Sequence, residues 1–200
     1  MTSIVIPFRG DNGKRRLEAP DELRAQLALA MLGDVLTACV ATTRTIVVTT
    51  DADAASLAGE LGAEVCADPG GGQGEAVKAA LAGLPDEPVL VVNADVPCVV
   101  PHDLRTLVGA AELGAIGLVE AADGTTNALA LPRPSAFAPL YGARSADRFR
   151  DHAAAVGLDA VAAVIPNLAD DVDTLADLAR LALRASPRTQ AALTLLKKSA

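Results

Sequence analysis

The chain has 200 residues, 51% of them hydrophobic but only 2% aromatic, with a formal net charge of −8 and a pI near 4.7. That length and apolar content suit one domain in which helices cover a sheet, with a core of Ala, Val and Leu instead of large rings. The acidic balance excludes nucleic acid and anionic membrane as partners, because such surfaces require a basic field, and any phosphate site must be a local basic patch.

Along the chain, short runs rich in β-branched residues alternate with Ala/Leu-rich stretches of helical length. Ser3–Phe8, Thr45–Thr50, Ala63–Ala67, Pro88–Asn93 and Ala115–Glu120 read as strands. Helices are expected at Asp21–Val40, Ala54–Leu61, Gly74–Gly83 and Pro101–Leu113, several opened by Asp or Pro. This alternation predicts an α/β fold with a doubly wound, mostly parallel sheet and helices on both faces. After Glu120 the rhythm changes. A turn at Asp123-Gly124-Thr125-Thr126, a strand at Asn127–Leu131, a Pro-broken stretch and a loop and helix from Gly142 to Val156 suggest a substrate-side substructure, at about 121–158, within a single domain spanning 1–200. A strand at Ala160–Ile165 follows, then the acidic loop Asp170-Asp171-Val172-Asp173 and helices from Thr174 and from about Pro187. Cys39, Cys66 and Cys98 are far apart and lack histidines at metal-ligand spacing, as in a reduced cytoplasmic protein. Residues 1–8 are too short for a signal peptide, and no apolar run approaches the ~20 residues of a membrane span.

In open α/β sheets, ligands bind beyond the carboxyl ends of the strands, which directs attention to four loops. Arg9-Gly10-Asp11-Asn12-Gly13-Lys14-Arg15-Arg16 mixes glycines with basic side chains. Its backbone amides could approach a triphosphate while Lys14 and Arg16 neutralise charge, the alternative being a solvated basic turn. Asp68-Pro69-Gly70-Gly71-Gly72-Gln73-Gly74 spends four glycines where few are needed for a turn, so a base or ribose packed on bare backbone is expected at Gly70, Gly71, Gly72 and Gly74. Asp95, just beyond the apolar Val89–Val92, is delivered to the active edge, where a carboxylate suits a hard Mg²⁺ ion; a helix N-cap is the alternative. In Asp170–Thr174 three carboxylates crowd together, either around a cation or as a capping box with an acidic first turn. Asp95 and Asp173 would then supply two carboxylates to one metal, with the choice between Asp171 and Asp173, and between one metal and two, left open. Only His102 and His152 are present, and no Ser/His/Asp set accompanies them. Transfer of a nucleotidyl group to an existing phosphate needs neither, since its nucleophile is already an anion.

In this order the motifs resemble the guanylyltransferases of deazaflavin coenzyme F-420 biosynthesis, which act on 2-phospho-L-lactate or phosphoenolpyruvate. The resemblance rests on Ile6-Pro7 with Lys14-Arg15-Arg16-Leu17, Val47–Asp51, Asp68–Gly72, Ala94–Pro97, Asp123–Leu129, Gly142 with Ser145, and Asp171–Thr174. It implies a nucleotide-diphospho-sugar transferase-like, Rossmann-like fold. It implies GTP as donor and pyrophosphate as leaving group, with Mg²⁺ at Asp95 and Asp173. It also implies that Thr126, Gly142 and Ser145 hold the phosphorylated acid, where the residues alone suggest a turn residue and a helix N-cap. A downstream transferase would consume the product. The sequence departs from the family at Asp11-Asn12-Gly13, at Gln73-Gly74 where Leu-Asn is usual, and at Phe149 where a His often follows Arg148. A cytidylyl- or molybdopterin-type nucleotidyltransferase and a non-catalytic nucleotide-binding protein are the alternatives, and the oligomeric state, a homodimer included, stays open.

Overall fold

The computed structural model describes residues 2–10 and 20–199, with side chains as far as Leu195. Seven strands, β1 (Ser3–Pro7), β2 (Arg44–Val48), β3 (Glu64–Cys66), β4 (Val89–Val92), β5 (Ile116–Glu120), β6 (Thr126–Leu131) and β7 (Ala160–Ala162), form one sheet in the order β3-β2-β1-β4-β6-β5-β7. All neighbours run parallel except β6, which is antiparallel to both β4 and β5. The helices are α1 (Asp21–Val40), α2 (Ala52–Glu60), α3 (Gln73–Leu81), α4 (Pro101–Glu112), α5 (Ser145–Ala155), α6 (Pro166–Ala169), α7 (Leu175–Leu181) and α8 (Pro187–Ser199).

The doubly wound expectation follows from how the strands divide their side chains. Ile4, Ile6, Leu90 and Val92 face α1, α2 and α4, whereas Val5, Val89 and Val91 face the opposite layer under α3 and α5. Alternate residues of a strand point to opposite faces, so strands covered on both sides must be apolar throughout. All four residues of β4 are buried accordingly. The core is filled by small aliphatics as the composition requires. Three of the few rings gather beneath α5, where Phe137, Tyr141 and Phe149 have centroids 5.4–6.3 Å apart.

Three differences from the sequence-based expectation have local causes. β7 is an exposed edge strand of three residues because Pro166 opens the unanticipated α6 soon after it. A short 3-10 helix at Pro134–Ala136 likewise starts on a proline. Helix α1 is long and apolar enough to cross a membrane, against the expectation that no such run exists, yet more than half of its apolar window is buried. It packs on the sheet and α8, which accounts for its apolar character.

Candidate active site

The antiparallel direction of β6 brings together residues that a parallel strand would separate. Its first residues lie at the carboxyl end of β4, where the Asn93 N–H donates to the Asn127 carbonyl at 2.9 Å. Beside this edge a cavity of about 210 Å³ opens. Pro7 to Gly10 after β1, Asn93 to Asp95 after β4, Ala28 and Met31 of α1, Gln73 of α3, and Asp173 line it. It sits beyond the strand ends, as ligand sites of open α/β sheets do.

Asp95, Asp171 and Asp173 converge there, each offering a carboxylate oxygen within 4.8 Å of the others. All three are half-buried. Burial, and then the charges of Asp95 and Asp173, push the Asp171 carboxyl up to about 6, while a hydrogen bond from Asn127 opposes the rise. Three hard oxygen donors in such mutual repulsion are an arrangement that a divalent cation relieves. The sequence left Asp171 and Asp173 as alternatives; the structure brings both to Asp95.

The acidic loop is tied down residue by residue. Arg180 and Arg184 donate to the two oxygens of Asp170 at 2.6 and 2.7 Å. Partial burial raises the Asp170 carboxyl, but these guanidinium bonds outweigh it and hold the group below the usual carboxylate range. The Val172 N–H donates to the Asp95 carbonyl at 3.0 Å, joining the two carboxylate-bearing loops through backbone. The Val172 side chain is fully buried among Leu27, Met31, Leu178 and Leu181, so it plugs the C-terminal helices onto α1. Thr174 and Asp177 then form a reciprocal capping box that starts α7. The capping box is thus present, with Thr174 as the cap, while Asp173 beside it lines the cleft.

The other expected residues occupy varied positions. Lys14 and Arg16 lie outside the described residues; Arg9 and Gly10 just before them line the cleft. Gly70, Gly71 and Gly72 all have positive φ, and a Cβ on Gly70 or Gly72 would meet open space. This loop adjoins the cleft through Gln73. Gly74 belongs to α3, and a Cβ there would stand 2.6 Å from that of Pro139, which gives this glycine a packing reason. Thr126 opens β6 and Ser145 is the first residue of α5, not a turn residue and an N-cap. The two are buried and joined by a 3.0 Å bond from Ser145 Oγ to Thr126 Oγ1. Gly142, with φ 110°, is exposed in the loop that precedes Ser145. Gln73, Asn93 and Asn127 form a group that the sequence reading did not single out as functional. Its signals were scattered: Gln73 in the glycine loop and Asn127 inside a motif quoted for the resemblance, with nothing to show that they meet.

Residues 2–198 match the family model described as "Guanylyl transferase CofC like". A relative named phosphoenolpyruvate guanylyltransferase, from Streptomyces scabiei, is 38% identical over 207 residues, covering 95% of this chain and 94% of its own. Among solved structures, a putative nucleotide-diphospho-sugar transferase from Desulfovibrio desulfuricans G20 superposes with a TM-score of 0.77 at 18% identity, over 98% of this chain and 95% of that one. Glucosyl-3-phosphoglycerate synthase from Mycobacterium tuberculosis, in complex with Mn²⁺, uridine diphosphate and glucosyl-3-phosphoglycerate, has a TM-score of 0.59 at 18% identity, over 80% and 69% of the two chains. At such identities the structural likenesses establish the Rossmann-like fold of the sheet.

Proposed function

The chain belongs to the CofC-like guanylyl transferase family, and on that premise we propose that it transfers GMP from GTP to phosphoenolpyruvate, releasing pyrophosphate, as a step of coenzyme F-420 biosynthesis. The observation that carries the chemistry is the convergence of Asp95, Asp171 and Asp173 at the carboxyl edge of the sheet. Phosphoenolpyruvate is preferred over 2-phospho-L-lactate because the S. scabiei relative is named for it.

In the reaction, an oxygen of the acceptor phosphate attacks the α-phosphorus of GTP. The bond from that phosphorus to the bridging oxygen of the β-phosphate breaks, and pyrophosphate departs with the electron pair. No proton must be removed from the nucleophile, which agrees with the absence of a histidine from the cleft lining. A divalent cation at the three carboxylates, Mg²⁺ in this reading, would neutralise phosphate oxygens and stabilise the charge developing on the leaving group. The protein's own part is positioning. Asp95, on the backbone-linked loop after β4, and Asp171 and Asp173, on the clamped acidic loop, present their oxygens from two rigid elements. Lys14 and Arg16 are assigned to the triphosphate, after Arg9 and Gly10 at the cleft wall. The Gly70–Gly72 loop is assigned to the nucleoside, and Thr126, Gly142 and Ser145 to the acceptor. Asp173 keeps its assigned place as ligand, joined by Asp171. The product is a reactive diphosphate diester suited to consumption by a downstream transferase in the cytoplasm.

Pyrophosphate release from GTP and Mg²⁺ tests this, in parallel reactions with phosphoenolpyruvate, 2-phospho-L-lactate and 3-phosphoglycerate. Release that depends on phosphoenolpyruvate and is lost when CTP replaces GTP is expected. Equal release with every acceptor, or preference for CTP, would overturn the assignment.

A further inference from the structure

The cleft contains a chain of side-chain amides whose polarity is fixed throughout. Asn127, 1% exposed on β6, donates from Nδ2 to the Ala169 carbonyl at 3.1 Å, two residues before Asp171, and stands close enough to the Asp171 carboxyl to oppose the rise in its pKa. A backbone carbonyl and a carboxylate can only accept, so the amide nitrogen must face the acidic loop and Oδ1 must face away. There it accepts from Asn93 Nδ2 at 3.4 Å. The same nitrogen of Asn93 faces the Thr126 carbonyl at 3.3 Å, which fixes its orientation in turn. Asn93 Oδ1 is then left to accept from Gln73 Nε2, at 2.7 Å.

All three amides therefore point the same way, each N–H toward the next oxygen, from α3 through β4 and β6 to the acidic loop. Such a series polarises cooperatively, and its donor end lies at the Ala169 carbonyl, where the acidic loop begins. Groups that orient metal-binding carboxylates contribute strongly to metal affinity, although they never touch the ion.

We propose that Asn127 is the positioning residue of the cation site, holding Asp171 and the Ala169–Asp171 backbone in place, and that Gln73, acting through Asn93, fixes the orientation in which Asn127 can do so. This rests on the reading of Asp95, Asp171 and Asp173 as cation ligands. It also gives a purpose to Gln73, one of the residues at which the sequence departs from the family pattern. Gln73 both lines the cleft and follows the glycine loop, so the hydrogen-bond series runs from the glycine-loop side of the cleft to the acidic loop.

The test is Mn²⁺ binding to the nucleotide-free full chain, followed by the electron paramagnetic resonance signal of free Mn²⁺, with the melting temperature measured alongside. Asn127→Ala is expected to weaken Mn²⁺ binding about tenfold, and Gln73→Met, which keeps the length but removes the donor, about threefold. The double variant should bind no worse than Asn127→Ala alone, because Gln73 acts only through Asn127. A purely structural role would instead lower the melting temperature and give additive losses. Unchanged Mn²⁺ affinity in either single variant, or additive losses in the double, overturns the relay. Should Asn127→Ala fail to fold, Gln73→Met, at the half-buried cleft wall, decides alone. Wild-type protein that binds no Mn²⁺ would overturn the cation site itself as well, which separates that failure from failure of the relay.

Discussion

Two loops face the same cleft and are built in opposite ways. The acidic loop is held at nearly every residue, Asp170 by two arginines, Val172 by complete burial and a backbone bond to Asp95, and Thr174 by a capping box. The glycine loop is held chiefly at its start, where Asp68 accepts from the Gly70 N–H at 2.8 Å and pairs with Arg9 at 3.6 Å. Open space lies beside Gly70 and Gly72. The contrast is the one that the two proposed ligands, a cation and a nucleoside, would require. Carboxylates that share a cation must be fixed before it arrives, since their repulsion would otherwise spread them. A nucleoside presents a broad surface that an adaptable backbone can follow.

The largest expected effect comes from separating charge from structure in the held loop. Asp171→Asn keeps the side-chain shape but removes an oxygen donor, and loss of several kcal/mol of charge stabilisation corresponds to about a thousandfold in kcat/KM. Stability should move the other way. The Asp171 carboxyl is raised by burial and by its neighbours, so its ionised form opposes folding at neutral pH. The melting temperature of the cation-free variant should therefore equal or exceed that of the wild type. A variant with full turnover would remove Asp171 from the site, and one that melts early would mean that the loop depends on this carboxylate for its shape.

Much of this arrangement was legible in the residues, for reasons that differ by element. The parallel strands announce themselves because burial on both faces demands uninterrupted runs such as Val89–Val92, and α1 does so because Pro20 and Asp21 open it. Asp95 could be found because it ends such a strand. The amide relay could not, since Gln73, Asn93 and Asn127 are 20 and 34 residues apart, and Asn127 reaches the other two only through the antiparallel placement of β6 between β4 and β5. Sequence spacing cannot reveal a register. Gly74 shows a related limit: a glycine read as part of a binding loop has, in the fold, a packing reason of its own where α3 passes Pro139. The anchoring of the acidic loop was half visible, its charge plain in Asp170–Asp173 and its plug, Val172, an ordinary aliphatic between carboxylates.

That plug supports a second, smaller prediction. Val172→Ala removes two buried carbons, a loss of about 2 kcal/mol at roughly 0.8 kcal/mol per buried methylene equivalent. Because the residue lies between two of the carboxylates, the deficit should appear both as a lower melting temperature and as weaker Mn²⁺ binding. Leu81, the last residue of α3 and buried on the other side of the sheet, makes the control. Leu81→Ala should cost stability while leaving Mn²⁺ affinity unchanged. If both variants alter Mn²⁺ binding equally, the acidic loop is not specially held and the contrast between the loops dissolves.

The smallest effects should come from the glycines, where the two variants are expected to fail in different observables. At Gly74 the φ is helical, so alanine suits the backbone, but its Cβ would fall 2.6 Å from Pro139 Cβ and 2.9 Å from Pro139 Cα. Relief requires moving backbone, and such overpacking costs about 1–3 kcal/mol of stability. At Gly72 the situation reverses. Nothing lies within 4 Å of the new Cβ, but a φ of 111° is foreign to L-residues, so the strain, about 1 kcal/mol or more, is relieved by changing the path of the loop itself. Gly72→Ala should thus raise KM for GTP while barely moving the melting temperature, and Gly74→Ala should lower the melting temperature while changing KM less. The reverse assignment would return Gly74 to the nucleotide contact expected from the sequence and make Gly72 a structural turn.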